Sequence, residues 1–159
     1  MKTALIERHL AGQMLSESPL LGGARLYELP RSANALGEFS FADTSGALGF
    51  PALRYALTFD VRSPRFRSEY ACRQESQFLI CTHGSCRISL FDGDAREEIL
   101  LNRPDLGLHI PPMVWTARYD FSGDAALLEL GSGSDRSTDC IHNLSEYLAA
   151  QGDQFDALS

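Results

Sequence analysis

Tyr70-Ala71-Cys72 and Gln77 set three polar or ionisable side chains just ahead of an apolar run, Phe78-Leu79-Ile80-Cys81, and a turn glycine, Gly84. On an extended strand Tyr70 and Cys72 share one face, because successive side chains alternate. Such a pair could move protons, with tyrosine as acid and a thiolate as base. Neither is well poised for it, since an unperturbed tyrosine titrates near pH 10 and a cysteine near about 8.5. A cation such as Arg67 or Arg73 would have to lower the Cys72 pKa. A catalytic metal site needs about three nitrogen, oxygen or sulfur ligands with an open position. Tyr70, Cys72, Gln77 and the downstream Thr116 do not form such a set, so neither a metal nor another cofactor is expected. Glu69, Glu75 and His83 are the nearby alternatives for a base. Glu75 stands an odd number of residues from Cys72, and a regular strand would point it to the other face. His83 falls at a hairpin tip and is expected to be exposed, while His109 is expected to be a satisfied core histidine.

The elements that must position these residues are short strands. Arg25–Leu29 and Gly37–Phe41 alternate polar and apolar residues, with Pro30 and a turn at Ser32-Ala33-Asn34 between them. Ala52–Val61 is a long strand candidate, followed by the arginine-rich loop Arg62–Arg67. Strands then recur at 77–82, 86–92, 97–101, 107–110, 116–120 and 125–130, separated by turn signals such as His83-Gly84-Ser85, Asp92-Gly93-Asp94 and Ser122-Gly123-Asp124. Many short strands with little helix between them indicate an antiparallel sandwich or barrel of the jelly-roll kind. Only the tail changes period: Ile141, Leu144, Tyr147 and Leu148 predict a short helix ending near Gly152. Ala4–Leu10 could form another, broken by Ser16-Glu17-Ser18-Pro19. The expected organisation is an N-terminal extension (1–24), one domain (25–152) and a tail (153–159).

With 159 residues the chain suits a single domain, since a domain of that size buries roughly 70% of its unfolded surface. Its net charge of -7 argues against non-specific nucleic-acid binding, which rests on neutralising phosphates. No apolar run reaches the roughly 18 residues of a membrane span, and the charged start lacks the apolar core of a signal peptide. A cytoplasmic protein follows, and with it reduced thiols at Cys72, Cys81, Cys86 and Cys140. The lone Cys81/Cys86 pair is a weak metal signal and fits buried strand thiols better.

Two segments carry a resemblance. Tyr70–Gly84 has the spacing of a cupin strand pair, and Gly107-Leu108-His109-Ile110-Pro111-Pro112-Met113-Val114-Trp115-Thr116 keeps the outer glycine and the proline of the second cupin motif, with Met113 at its inner glycine and Thr116 at its histidine. From Leu26 to Leu148 the chain resembles the WxcM-like sugar-nucleotide 3,4-ketoisomerases, on Arg54, Phe59-Asp60, Arg67, the run Gln77–Ile88, Asp92-Gly93, Gly107-Leu108, Pro112–Trp115, Tyr119–Ser122 and Asp139–Ile141. The resemblance implies an all-β, RmlC-like cupin jelly roll with a short C-terminal helix, free of metal and paired as a homodimer. It implies a dTDP-linked sugar nucleotide at the barrel mouth, its pyrophosphate met by Arg54 and Arg67, with Gln77, Trp115 and Thr116 completing the binding set. The family's catalytic pair is His-Ala-His, where this chain has Tyr70-Ala71-Cys72. Two functions therefore stand: a 3,4-ketoisomerase of deoxysugar biosynthesis using Tyr70 and Cys72, or a silent sugar-nucleotide binder with a regulatory or scaffolding role.

Overall fold

Period-two alternation shapes the strands of this computed structural model, which describes residues 16–43, 49–133 and 135–158. In chain order they are β1 (Ser16–Pro19), β2 (Arg25–Glu28), β3 (Arg31–Asn34), β4 (Gly37–Ser40), β5 (Arg54–Phe59), β6 (Arg67–Cys72), β7 (Gln77–His83), β8 (Cys86–Phe91), β9 (Arg96–Leu101), β10 (Leu106–Ile110), β11 (Trp115–Tyr119), β12 (Ala126–Gly131) and β13 (Cys140–Ile141). Two helices, α1 (Arg136–Asp139) and α2 (Leu144–Leu158), flank β13.

The strands form two facing antiparallel sheets, one ordered β1-β2-β10-β7-β12-β5 and the other β13-β6-β11-β8-β9, with β3 and β4 as a separate hairpin. Strand β8 buries alternate residues, Cys86, Ile88 and Leu90. These meet Leu79 and Cys81 of β7, Leu108 and Ile110 of β10, Leu127 of β12, and Ile99 and Leu101 of β9 in the core between the sheets. Burial on this scale is the main term holding two sheets together. A second cluster, Tyr27, Leu29, Phe50 and Phe78, covers the outer face of the first sheet. On the outer face of the second sheet, Ala71, Trp115 and Ile141 pack against Tyr147 of α2. Asn143 starts that helix by accepting a hydrogen bond from the Glu146 amide, 3.1 Å away.

The hairpin turn between β7 and β8 depends on Gly84, at φ +66°, where a Cβ would come within 2.8 Å of Ala125 Cα. Met113 occupies the left-handed region as well, at φ 65°. A side chain in that region costs about 1–2 kcal/mol, and Met113 is the position where the resemblance puts a glycine.

Ser16–Pro19, expected to end a helix, forms an edge strand paired with Arg25–Glu28. Two expectations are corrected. Ser32-Ala33-Asn34 lies in β3, and the turn falls at Ala35-Leu36. Helix α2 runs through Gly152 to Leu158, because one glycine costs a helix only about 1 kcal/mol. The helix expected over Ala4–Leu10 lies outside the described residues. No helix among the described residues is long and apolar enough to cross a membrane.

Candidate functional site

Strand register decides which side chains meet at the open end of the two sheets. Thr116 pairs with Tyr70 and Arg118 with Ser68, so alternation turns Tyr70, Cys72, Thr116 and Arg118 to the same inner face. Opposite them, Gly131 pairs with Gln77 and Glu129 with Leu79, which turns Gln77 and Glu129 inward. Arg54 joins from β5, opposite Gly131.

The centre of this group is a buried ion pair. Arg118, 2% exposed, holds Glu129 through Nε at 2.8 Å and Nη2 at 2.7 Å. It also donates to Gln77 Oε1 at 2.8 Å and to Thr116 Oγ1, so its donors are spread over three acceptors. The Tyr70 hydroxyl donates to Glu129 at 3.2 Å and accepts from Arg136 Nη2 at 2.6 Å. Guanidinium carbons of Arg118 and Arg136 lie 4.1 and 4.8 Å from the Tyr70 ring centroid. Burial pushes the Tyr70 pKa above its ordinary value despite these cations, helped by the charge of Glu129. Tyr70 is therefore held neutral, its hydroxyl proton directed at Glu129.

A second ion pair roofs the first. Glu75, 1% exposed, accepts from Arg54 Nε at 2.9 Å and Nη2 at 2.6 Å on one oxygen, and from Arg136 Nε at 3.3 Å on the other. Gly131 makes this possible: a Cβ there would sit 2.2 Å from Glu75 Oε1. Asp139 fixes the turn that carries Glu75, its carboxylate accepting from the Gln74 and Glu75 amides at 2.9 and 3.1 Å.

Cys72 is joined to Cys140 by a disulfide, which corrects the expectation of four reduced thiols. The two residues face each other in the short β6–β13 pairing, a juxtaposition that 68 intervening residues hide from the sequence. Gln77 Nε2 donates toward the Cys72 sulfur at 3.4 Å, and Glu75 Oε2 lies 3.9 Å from it. Cys81 and Cys86 remain free and buried. Donor atoms of Cys72, Glu75 and Cys140 lie within 4.8 Å of one another, close enough to share an ion. The sulfurs are bonded to each other, however, and two guanidinium groups already occupy Glu75.

Of the residues singled out from sequence, the structure brings Tyr70, Cys72, Gln77, Thr116 and Arg54 together. Arg67 lies on the opposite face of β6, paired with Glu69 and stacked over Tyr119 at 4.6 Å. Trp115 also faces outward, 5.5 Å from the Tyr147 ring. Glu75 points inward, contrary to the alternation argument, because the chain bends at Arg73-Gln74 and leaves the strand period. His83 is exposed, its side chain at 69%. His109 is half-buried and stacks on Phe50 at 5.7 Å. Its pKa is lowered by burial and by the charge of Arg25. Sequence reasoning missed Arg118, Glu129 and Arg136. A signal existed for two of them: Arg118 and Glu129 each interrupt an otherwise largely apolar strand, with opposite charges, on positions that alternation turns inward.

The crevice bounded by Tyr70, Cys72, Glu75, Gln77, Val114 and Thr116 has no room for a water-sized sphere. Around it stand two acids, three guanidinium groups, a phenol and a disulfide.

Comparison with known proteins places this arrangement. A family model described as "FdtA: WxcM-like, C-terminal" matches residues 22–152. TDP-4-oxo-6-deoxy-alpha-D-glucose-3,4-oxoisomerase of Aneurinibacillus thermoaerophilus is 36% identical over 103 residues, 63% of this chain and 74% of that protein. Among solved structures, the WlaRB TDP-quinovose 3,4-ketoisomerase of Campylobacter jejuni superposes with a TM-score of 0.75 at 32% identity, covering 81% of this chain and 99% of the other. The 3,4-ketoisomerase QdtA of Thermoanaerobacterium thermosaccharolyticum, solved in complex with TDP, gives 0.80 at 28% identity, covering 86% and 99%. The RmlC-like cupin jelly roll with a C-terminal helix, expected from sequence, is borne out.

Proposed function

The chain belongs to the WxcM-like FdtA family, and from that premise we propose that it takes TDP-linked 4-keto-6-deoxyhexoses at the Tyr70 end of its barrel and moves their carbonyl between C4 and C3. The observation that carries this reading is the convergence of Tyr70, Cys72, Gln77 and Thr116 on one inner face, beside the acids Glu75 and Glu129. The reaction needs a base to remove the C3 proton beside the C4 ketone and an acid to deliver a proton to C4 of the resulting enediol. Tyr70, held neutral by burial, suits the acid. Cys72, once its sulfur is free, suits the base, with Glu75 near enough to accept the thiol proton. Arg54, partly exposed and forked onto Glu75, offers the guanidinium geometry that a diphosphate matches. Arg67, on the other face of β6, is left without a phosphate role inside this chain.

A specific observation favours a second reading, that of a silent sugar-nucleotide binder with a regulatory or scaffolding role: the Cys72 sulfur is bonded to Cys140. Both readings place the protein in the cytoplasm. Both include a homodimer, supported by Tyr55, Leu57 and Phe59, which stand 68%, 49% and 68% exposed along edge strand β5.

The test incubates the full chain with TDP-4-keto-6-deoxyglucose under reducing conditions and follows the sugar carbonyls by NMR, with TDP calorimetry in parallel. A 3-keto product establishes the isomerase. Binding without turnover establishes the silent binder, and no binding at millimolar TDP removes both. Sedimentation at several concentrations measures the dimer.

A further inference from the structure

The Cys72–Cys140 bond sits at the thinnest attachment in the fold. Strand β13 contributes only two residue pairs to the second sheet, Cys140 with Cys72 and Ile141 with Ala71. The strap formed by α1 and β13 nevertheless carries much of the roof of the pocket. Arg136 bonds the Tyr70 hydroxyl and Glu75. Asp139 holds the amides of Gln74 and Glu75, and its carbonyl accepts from the Arg73 amide at 3.0 Å. Arg136 thus lies over the hydroxyl and ring of Tyr70, and the neighbouring crevice at Tyr70, Cys72 and Glu75 has no room for a water-sized sphere. A ligand that reaches the Tyr70 hydroxyl must displace Arg136, and the disulfide ties the strap that carries Arg136 to the floor strand beside Tyr70.

The two sulfurs differ in access. Cys72 is 4% exposed, whereas Cys140 is half-buried, so Cys140 is the member of the pair nearer the surface. Gln77 directs an amide N–H at the Cys72 sulfur, which favours negative charge there as that sulfur leaves. In a reducing compartment a disulfide so placed is reversible.

We infer that Cys72–Cys140 is a reversible thiol–disulfide pair that locks the strap over the Tyr70 pocket, and that dithiol reductants open it. A reductant thiolate attacks Cys140 Sγ, the sulfur–sulfur bond breaks, and Cys72 departs as a thiolate and takes up a proton. The second thiol of the reductant then resolves the mixed disulfide, releasing Cys140 as a thiol. Two electrons and two protons pass from the dithiol to the pair, and the reductant leaves as its own disulfide. The oxidised form is closed and has no base at position 72; the reduced form opens and regains one. The link to ligand binding rests on the proposed function, while the lock itself does not.

The experiment uses the full chain, oxidised with glutathione disulfide or reduced with dithiothreitol. Denatured without reductant, the oxidised protein exposes two thiols, Cys81 and Cys86, and the reduced protein four. A non-reducing digest contains the peptide joining Cys72 to Cys140 only in the first. Reduction should speed hydrogen exchange at the amides of Arg73–Glu75 and Asp139–Ile141 by about tenfold or more, while those of the β7–β12 ladder hold constant as the internal reference. The reduced form should bind TDP about tenfold more tightly, since a ligand requiring a minor state gains in proportion to that state's population. Cys140→Ser should exchange and bind like the reduced form with or without dithiothreitol. Four thiols after oxidation, equal exchange in the two forms, or acceleration of the reference ladder along with the strap would each overturn the inference. A strap that loosens on reduction in a protein that binds TDP in neither form upholds the lock and removes the ligand reading.

Discussion

Replacing Arg118 by methionine should be among the most damaging single changes to this protein. Arg118 is 2% exposed and holds Glu129 at 2.7–2.8 Å. Its loss would leave a carboxylate inside the barrel facing only the Tyr70 hydroxyl at 3.2 Å. Breaking a buried pair from one side typically costs about 3–5 kcal/mol, because the remaining charge stays desolvated without a partner. In a chain of 159 residues each kcal/mol lowers Tm by about 2–4 °C, so Arg118→Met should melt roughly 6–20 °C below the parent. The double variant Arg118→Met/Glu129→Leu removes both charges and should recover most of that loss, since apolar replacement of a buried pair is often neutral or better. Denaturant titration followed by the fluorescence of the lone tryptophan, Trp115, reads both variants and their coupling. A single variant within about 1 kcal/mol of the parent would mean that water reaches the pair. A double variant as unstable as the two singles added would refute the argument as well.

Three further outcomes are expected. Gly131→Ala should push the Arg54–Glu75 pair apart, because its Cβ would overlap Glu75 Oε1 and Arg54 Nη2; unfolding titrations should show a loss of about 1–3 kcal/mol. Arg54→Ala should weaken TDP binding about 10- to 100-fold by calorimetry, the worth of a charge-assisted hydrogen bond. His109 has its pKa lowered by burial, so the unfolded chain takes up the proton first. Its contribution is complete above about pH 6.5 and is lost as the pH falls through that value, and His109→Gln should flatten the unfolding midpoint measured between about pH 7 and 5.

The fold was legible in the sequence wherever two sheet faces meet different surroundings. Strands β8 and β12 bury alternate residues and β7 is a short apolar run, and all three end near turn residues, so their bounds were found to within a residue or so. Strand β1 was hidden because Ser16–Pro19 is polar and becomes extended only by pairing with β2. The site was legible at Tyr70, Cys72, Gln77, Thr116 and Arg54, which regular strands carry inward. Glu75 was misplaced because alternation is a rule for strands, and the chain bends just before it. Arg136 and Cys140 come from a strap whose position depends on contacts more than 60 residues away in sequence. No local pattern encodes such a separation.

Asp139 also has a bearing on the order in which the molecule assembles. Hairpins such as β8–β9, joining Cys86 to Leu101, close over short loops and can form as soon as their residues are available. The turn bearing Glu75 depends instead on a carboxylate 64 residues further on, and such distant closure is slow and comes at an entropic cost. During synthesis the pocket would remain unbuilt until residue 139 has left the ribosome, after the floor strand beneath it has paired with β11. The Tyr70 end of the barrel thus matures late, and a nascent chain halted before that point would have most of its strands without the turn that carries Glu75.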